Sequence, residues 1–322
     1  MLSRRTSCIG WSARRWIAAA GSSWPATRIS RITALPRCIH GWRSSAPCLP
    51  TSTRICACSR ISHADCGCVT TSCRLVAADA DTWLVLGASA ALARAFARRA
   101  ADKGARLLLA GRDTADLADA AADLRTRFAA DVDVIAFDAT APETHGAVAT
   151  RLAGEKRPNV MLAFATMPAQ REMEHDPGLA AATLNANLAG AAAILLHLLP
   201  VLESRRGARV VIVGSVAGDR GRRRNYVYGA SKAGLHALAS GCRSRLHRAG
   251  VSVTLVKAGP FDSAMTFTRT GLRGVVTVER VADDCWRAAQ RRRSVVYSPA
   301  AWRWIMWAVK AIPEPLFKRL DI

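Results

Sequence analysis

From Thr82 onward, short and nearly unbroken apolar runs alternate with longer stretches whose apolar residues recur every three to four positions. The short runs lie at 83–87, 106–110, 132–137, 160–165, 209–213 and 251–256. Helical spacing occupies 90–103, 115–128, 145–152, a long apolar segment ending near Leu202, and 228–248. A strand that is apolar at successive positions is covered on both faces, and a helix between consecutive strands carries the chain back for parallel pairing. The pattern predicts an α/β domain, a doubly wound parallel sheet with helices on both sides. No apolar run approaches the roughly 20 residues a membrane-spanning helix needs; the longest, at 191–202 and 302–311, are short or interrupted by charge.

Composition changes near residue 75. Residues 1–74 hold 11 of the arginines, no Lys or Glu, a single acid (Asp65), eight of the ten cysteines and four of the nine tryptophans. Cys56, Cys58, Cys66, Cys68 and Cys73 are spaced C-x-C rather than as the paired C-x2-C of a structural zinc site. Pro25, Pro36, Pro47 and Pro50 interrupt any transit-type amphipathic helix, and no nucleic-acid-binding fold accompanies the arginines. The segment reads as a disordered extension or as GC-rich DNA translated in an unselected frame, with a start codon other than ATG near 69–76. The expected organisation is therefore an N-terminal extension over 1–78, the α/β domain over 79–298 and an amphipathic tail over 299–322.

The first strand runs into Gly87-Ala88-Ser89-Ala90-Ala91-Leu92-Ala93, a small-residue turn opening a helix. Such a turn lets backbone approach a dinucleotide pyrophosphate at a helix N-terminus; Gly87, Ser89, Ala91 and Leu92 are the expected contacts. Only Gly87 matches a glycine of the G-x3-G-x-G spacing, with Ala91 and Ala93 in the other two places. At the end of the second strand, Arg112 suits the extra phosphate of NADP(H), while Asp113 keeps NAD(H) open. Asp138, after the third strand, is set to contact adenine or to hold a turn.

Ser215 closes the fifth strand, and thirteen residues later comes Tyr228-Gly-Ala-Ser-Lys232. On a helix, Tyr228 and Lys232 are i and i+4 and share a face. A cation beside a phenol favours the phenolate and lets it exchange a proton near neutrality. Ser215 is placed to hydrogen-bond the tyrosine and a substrate carbonyl.

Together these motifs resemble the short-chain dehydrogenase/reductase family over residues 82 to about 266, and so imply a Rossmann-like sheet. The resemblance adds Asn187, in Asn187-Leu-Ala-Gly, as support for a proton relay. It also adds Ala165 after the fourth strand, and Gly259 and Ser263 in Ala258-Gly259-Pro260 and beyond, as neighbours of the nicotinamide. Catalysis then falls to Asn187, Ser215, Tyr228 and Lys232, with NAD(P)H as cofactor and no metal. Three departures stand out: the alanine-substituted glycine turn, Ala163-Phe164-Ala165-Thr166 for the usual Asn-Asn-Ala-Gly, and Ala258 for proline. These, the stretch 215–228 and the tail are similar to the decaprenyl-phosphoryl-2-keto-ribose reductase-like branch.

The branch implies a small-molecule or lipid-linked ketone, a homo-oligomer, no nucleic acid, and a cytoplasmic enzyme with peripheral contact at the inner membrane face. Arg220, Arg222, Arg223 and Arg224 suggest a phosphate clamp or a solvated loop. The tail, with Trp302, Trp304 and Trp307 among basic residues, suits a bilayer interface or a protein face. The competing reading is a non-catalytic dinucleotide-binding regulator or a degenerate relative. Cys242 and Cys285 are expected to be free thiols, and His197, His236 and His247 to be packing or surface residues.

Overall fold

The computed structural model describes residues 80–263 and 274–320, all within the unit Thr70–Ile322. The readings of the cysteine- and arginine-rich segment lie outside the described residues.

Among the described residues, seven strands form one sheet: β1 (Thr82–Leu86), β2 (Arg106–Gly111), β3 (Val132–Ala136), β4 (Pro158–Leu162), β5 (Arg209–Ser215), β6 (Ser252–Ala258) and β7 (Val295–Ser298). Their order is β3-β2-β1-β4-β5-β6-β7 and every pairing is parallel. Among the described residues the helices are α1 (Ala91–Asp102), α2 (Thr114–Phe128), α3 (Glu143–Ala153), α4 (Gln170–His175), α5 (Pro177–Leu184), α6 (Gly190–Glu203), α7 (Tyr226–Leu246), α8 (Val278–Gln290), α9 (Trp302–Ala311) and α10 (Glu314–Phe317).

Successive strand residues serve opposite cores, because side chains alternate across a pleated sheet. Trp83, Val85, Leu107, Leu109, Val211 and Val213 join the residues of α1, α2 and α8. Leu84, Leu86, Leu108, Val210 and Ile212 pack instead with α3, α6 and α7. In the first core Trp83, Phe96 and Trp286 meet edge-on or tilted, with ring centroids 4.9 Å and 5.8 Å apart. Burying each such ring is worth roughly 2–3 kcal/mol.

The expected strands and helices are present within a few residues at their ends. Strand β4 stops at Leu162 rather than at 165, and the four residues after it turn toward the cavity described below. The apolar segment forms a continuous helical stretch, Pro177–Glu203, long and apolar enough to cross a membrane. It qualifies by length and composition only, and it extends beyond the run at 191–202 that the sequence reading singled out. One face of its C-terminal half, with Ile194, Leu195, Leu198 and Leu202, is buried in the second core. A π turn at Asn185–Ala189 lies between α5 and α6.

Candidate active site

Strand order runs away from β1 in both directions, to β2 on one side and β4 on the other. At such a reversal the carboxyl ends of the strands leave a crevice for ligand. A cavity of about 900 Å³ occupies it here.

Gly87 turns the chain out of β1 with φ +77°, and a Cβ added there would lie 2.6 Å from Cβ of Phe164 and 2.9 Å from its backbone. The Gly87 and Ala88 amides both donate to the Ala110 carbonyl, at 2.9 and 3.0 Å, which fixes the turn. Ser89, Ala91 and Leu92 line the cavity. The first turn of α1 carries neither a capping side chain nor an acid, so its amide donors and positive dipole end suit an anion. The residues present fit a dinucleotide at this end of the cavity.

Arg112 and Asp138 line the same end. Oδ1 of Asp113 accepts from the Asp116 amide at 3.0 Å as the cap of α2. Oδ1 of Asp138 accepts from the amide and hydroxyl of Thr140, both at 2.8 Å. Those bonds hold its carboxyl below the usual range. Asp138 thus both shapes a turn and faces the cavity.

Asn187 lies within the π turn and is 1% exposed. Its side chain pairs with the Thr166 backbone, accepting from the amide and donating to the carbonyl at 2.8 Å each. It also donates to Oγ of Ser231 at 3.2 Å, and Ser231 donates to the Tyr228 carbonyl at 2.7 Å. Asn187 therefore ties the loop after β4 to α7. Ser215, Tyr228 and Lys232 line one wall of the cavity with it, and Ala165, Gly259 and Ser263 line it as well.

Oγ of Ser215 accepts from the Ala217 amide at 3.2 Å. Lys232, 2% exposed, donates to the Val213 carbonyl at 3.1 Å, and its Nζ lies 5.8 Å from the Tyr228 ring centroid. Burial lowers the Lys232 pKa to about 8, which still leaves an ammonium ion at neutral pH. Among the described residues no cluster of His, Cys, Asp and Glu could hold a metal ion.

One turn beyond Lys232, the ring of His236 fills the notch left by Gly214 and Gly218, where added Cβ atoms would come within 2.7 Å of it. Burial, and then the Lys257 charge, lower the His236 pKa to about 4. The folded state holds this ring neutral while the unfolded chain binds a proton below about pH 6.5. Stability should therefore be intact above that pH and fall as pH drops toward 4, by at most about 3 kcal/mol from this residue. Urea midpoints measured from pH 7 to 4 should show a shallower loss in His236→Gln.

The tail reaches the site. The indole of Trp302, at the start of α9, lines the cavity and sits where a Gly259 Cβ would be, 2.1 Å from its Nε1. Arg220 is spent on holding this segment. Its guanidinium donates to the Val309 and Ile312 carbonyls at 2.6 and 2.7 Å and to Glu314 at 2.8 Å, and stacks 3.6 Å from the Phe317 ring centroid. Arg220 is thus committed to the tail rather than to the cavity. Sequence reading missed this role and that of Trp302.

A parallel sheet with a nucleotide cradle at its reversal, and a tyrosine and a lysine one helical turn apart on the cavity wall, define a dinucleotide-dependent oxidoreductase. The short chain dehydrogenase family model matches residues 81–271. An uncharacterized oxidoreductase of Mycobacterium tuberculosis is 34% identical over 74% of this chain and 96% of its own length. Another, of Streptomyces coelicolor, is 36% identical over 74% and 95%. A short-chain dehydrogenase of Sphingobium yanoikuyae, solved in complex with NADPH, shares the fold with TM-score 0.61 and 23% identity over 73% of this chain and 97% of its own. The chain belongs to the short-chain dehydrogenase family and is an NAD(P)-dependent oxidoreductase.

Proposed function

We propose that this protein reduces a ketone to a secondary alcohol, with NADPH preferred over NADH, and that its substrate is a keto-sugar carried on a polyprenyl phosphate in cell-envelope or exopolysaccharide synthesis. The observation that carries the reading is the gathering of Ser215, Tyr228 and Lys232 on one wall of the cavity, with Asn187 behind them. When bound, NAD(P)H supplies the hydride. The Tyr228 hydroxyl donates a proton to the carbonyl oxygen, and the Ser215 hydroxyl hydrogen-bonds that oxygen as charge develops. The Lys232 ammonium stabilises the phenolate left on Tyr228. Asn187 holds the loop after β4 against α7 and so positions the relay that returns the proton. Arg112 favours the extra phosphate of NADPH.

The lipid-linked part of the reading draws support from the tail. Trp304 and Trp307 are 68% and 67% exposed and Ile305, Leu316 and Leu320 are exposed beside them, among Arg303, Lys310, Lys318 and Arg319. Aromatic and basic side chains together suit an anionic bilayer surface, with the enzyme on the cytoplasmic side. Exposed Leu184 and Leu196 offer a face for a second subunit. The organisation proposed is the oxidoreductase domain over 79–298 with this tail over 299–322.

The test is NADPH deuterated at the transferred position, supplied with 2-keto-pentoses both free and as prenyl-phosphoryl glycosides in anionic vesicles. The expected result is deuterium on the new carbinol carbon, faster turnover of the vesicle-borne substrate, and loss of that advantage in the double variant Trp304→Ser, Trp307→Ser. Unlabelled product or no alcohol from either substrate would overturn the reading.

A further inference from the structure

Four arginines follow Ser215, and their side chains separate in the fold. Arg220 is bound to the tail. Arg223 and Arg224 are exposed. Arg222 lines the cavity, as do Ser215, Asn225, Tyr228 and Trp302. Its carbonyl accepts from the Asn225 amide at 3.1 Å, which anchors the loop to the start of α7.

The Arg222 side chain is out of balance with its surroundings. Its Nε is buried and has no hydrogen-bond partner. Asp219 is the acid whose charge acts on it, and burial outweighs that effect, lowering the Arg222 pKa. Both Asp219 oxygens are already engaged, one by Lys257 and the other by the Tyr297 hydroxyl at 2.7 Å. A buried guanidinium nitrogen without a hydrogen-bond partner is costly unless a ligand completes it. The three acids lining the cavity, Asp113, Asp116 and Asp138, follow β2 and β3, where Arg112 lines it too; near Ser215 and Tyr228 in the chain, the charged lining residues are Arg222 and Lys232.

We propose that Arg222 recognises an oxyanion on the substrate, a phosphate or a carboxylate, and thereby selects anionic ketones over neutral ones. The planar fork of a guanidinium binds either group through two N–H donors. The assignment rests on the ketone-reductase reading for the identity of the reacting group. The anion site itself is measurable without turnover.

Two matched pairs test selection: D-ribulose with D-ribulose 5-phosphate, and methyl 4-oxopentanoate with 4-oxopentanoate. In the wild type the anionic member of at least one pair should have the higher kcat/KM, and Arg222→Gln should cut that preference by about tenfold to a hundredfold. Arg222→Lys should keep part of it, and thermal midpoints establish that each variant is folded. An anion preference equal in wild type and Arg222→Gln would overturn the proposal while leaving the reductase reading standing.

Calorimetry on NADP⁺-loaded protein covers the case of no turnover. Binding of ribulose 5-phosphate or 4-oxopentanoate should weaken at least about tenfold in Arg222→Gln, and such a result would support the site even if reduction failed. Unchanged binding of both anions, or an equal loss of NADP⁺ affinity, would overturn it. Farnesyl phosphate and inorganic phosphate as competitors distinguish the sources. Stronger Arg222-dependent competition by farnesyl phosphate assigns the anion to a lipid carrier, and equal competition assigns it to a free phosphate; either supports the proposal.

Discussion

Tyr228→Phe is expected to lower kcat about a thousandfold, the range removed with a general acid, while NADP⁺ binding measured by calorimetry stays within about threefold. The substitution deletes one oxygen from a side chain that is 8% exposed. The ring and its packing remain, so the loss falls on proton transfer. A thousandfold corresponds to about 4 kcal/mol of transition-state stabilisation. Lys232 should keep its bond to the Val213 carbonyl, and the thermal midpoint should move little. Turnover like that of the wild type in the phenylalanine variant would remove Tyr228 from the reaction.

The second large effect is expected at Gly87. Alanine there must adopt a positive φ of 77° with its Cβ 2.6 Å from Phe164 Cβ and 2.9 Å from Phe164 backbone atoms. Backbone cannot swing aside as a flexible side-chain end can. Left-handed strain costs about 1–2 kcal/mol and overpacking a further 1–3 kcal/mol, so Gly87→Ala should lose about 3 kcal/mol. For a domain of this size the thermal midpoint should fall by roughly 6–12 °C. The same shift moves the turn away from the first turn of α1, so the cofactor should bind at least tenfold more weakly, on the scale of one lost charge-assisted contact. A variant with unchanged melting and cofactor affinity would contradict this account of the cradle.

How much of this was legible in sequence depended on which physical signal each element carries. Strands β1, β2 and β5 feed two cores at once, so their apolar runs are unbroken and easily seen. Strand β7 is a four-residue edge strand with Val295 exposed, and it follows Arg291, Arg292 and Arg293, so no such run marks it. Helix α8 did carry a signal: Val281, Ala282, Cys285, Trp286 and Ala289 are buried at helical spacing, and the reading passed over it. The π turn around Asn187 adds residues to a helical turn without changing composition, so no period reveals it.

Within the site, Tyr228 and Lys232 were legible because an i,i+4 pair shares a face whatever surrounds it. Arg220 and Arg222 were not separable, since a loop has no period to say which side chain turns inward. Trp302, Trp304 and Trp307 look alike in sequence. What distinguishes them is the notch at Gly259, 43 residues earlier in the chain, that admits one indole.

That indole sits outside the stretch matched by the family model, yet it forms part of the chamber where chemistry is proposed to occur. One wall of that chamber therefore comes from the chain beyond the matched stretch, held in place by Arg220. A substitution at Trp302 would reshape the chamber without touching Ser215, Tyr228 or Lys232. A fusion partner appended after the tail would join the chain a short way beyond Trp302 and the segment that Arg220 holds.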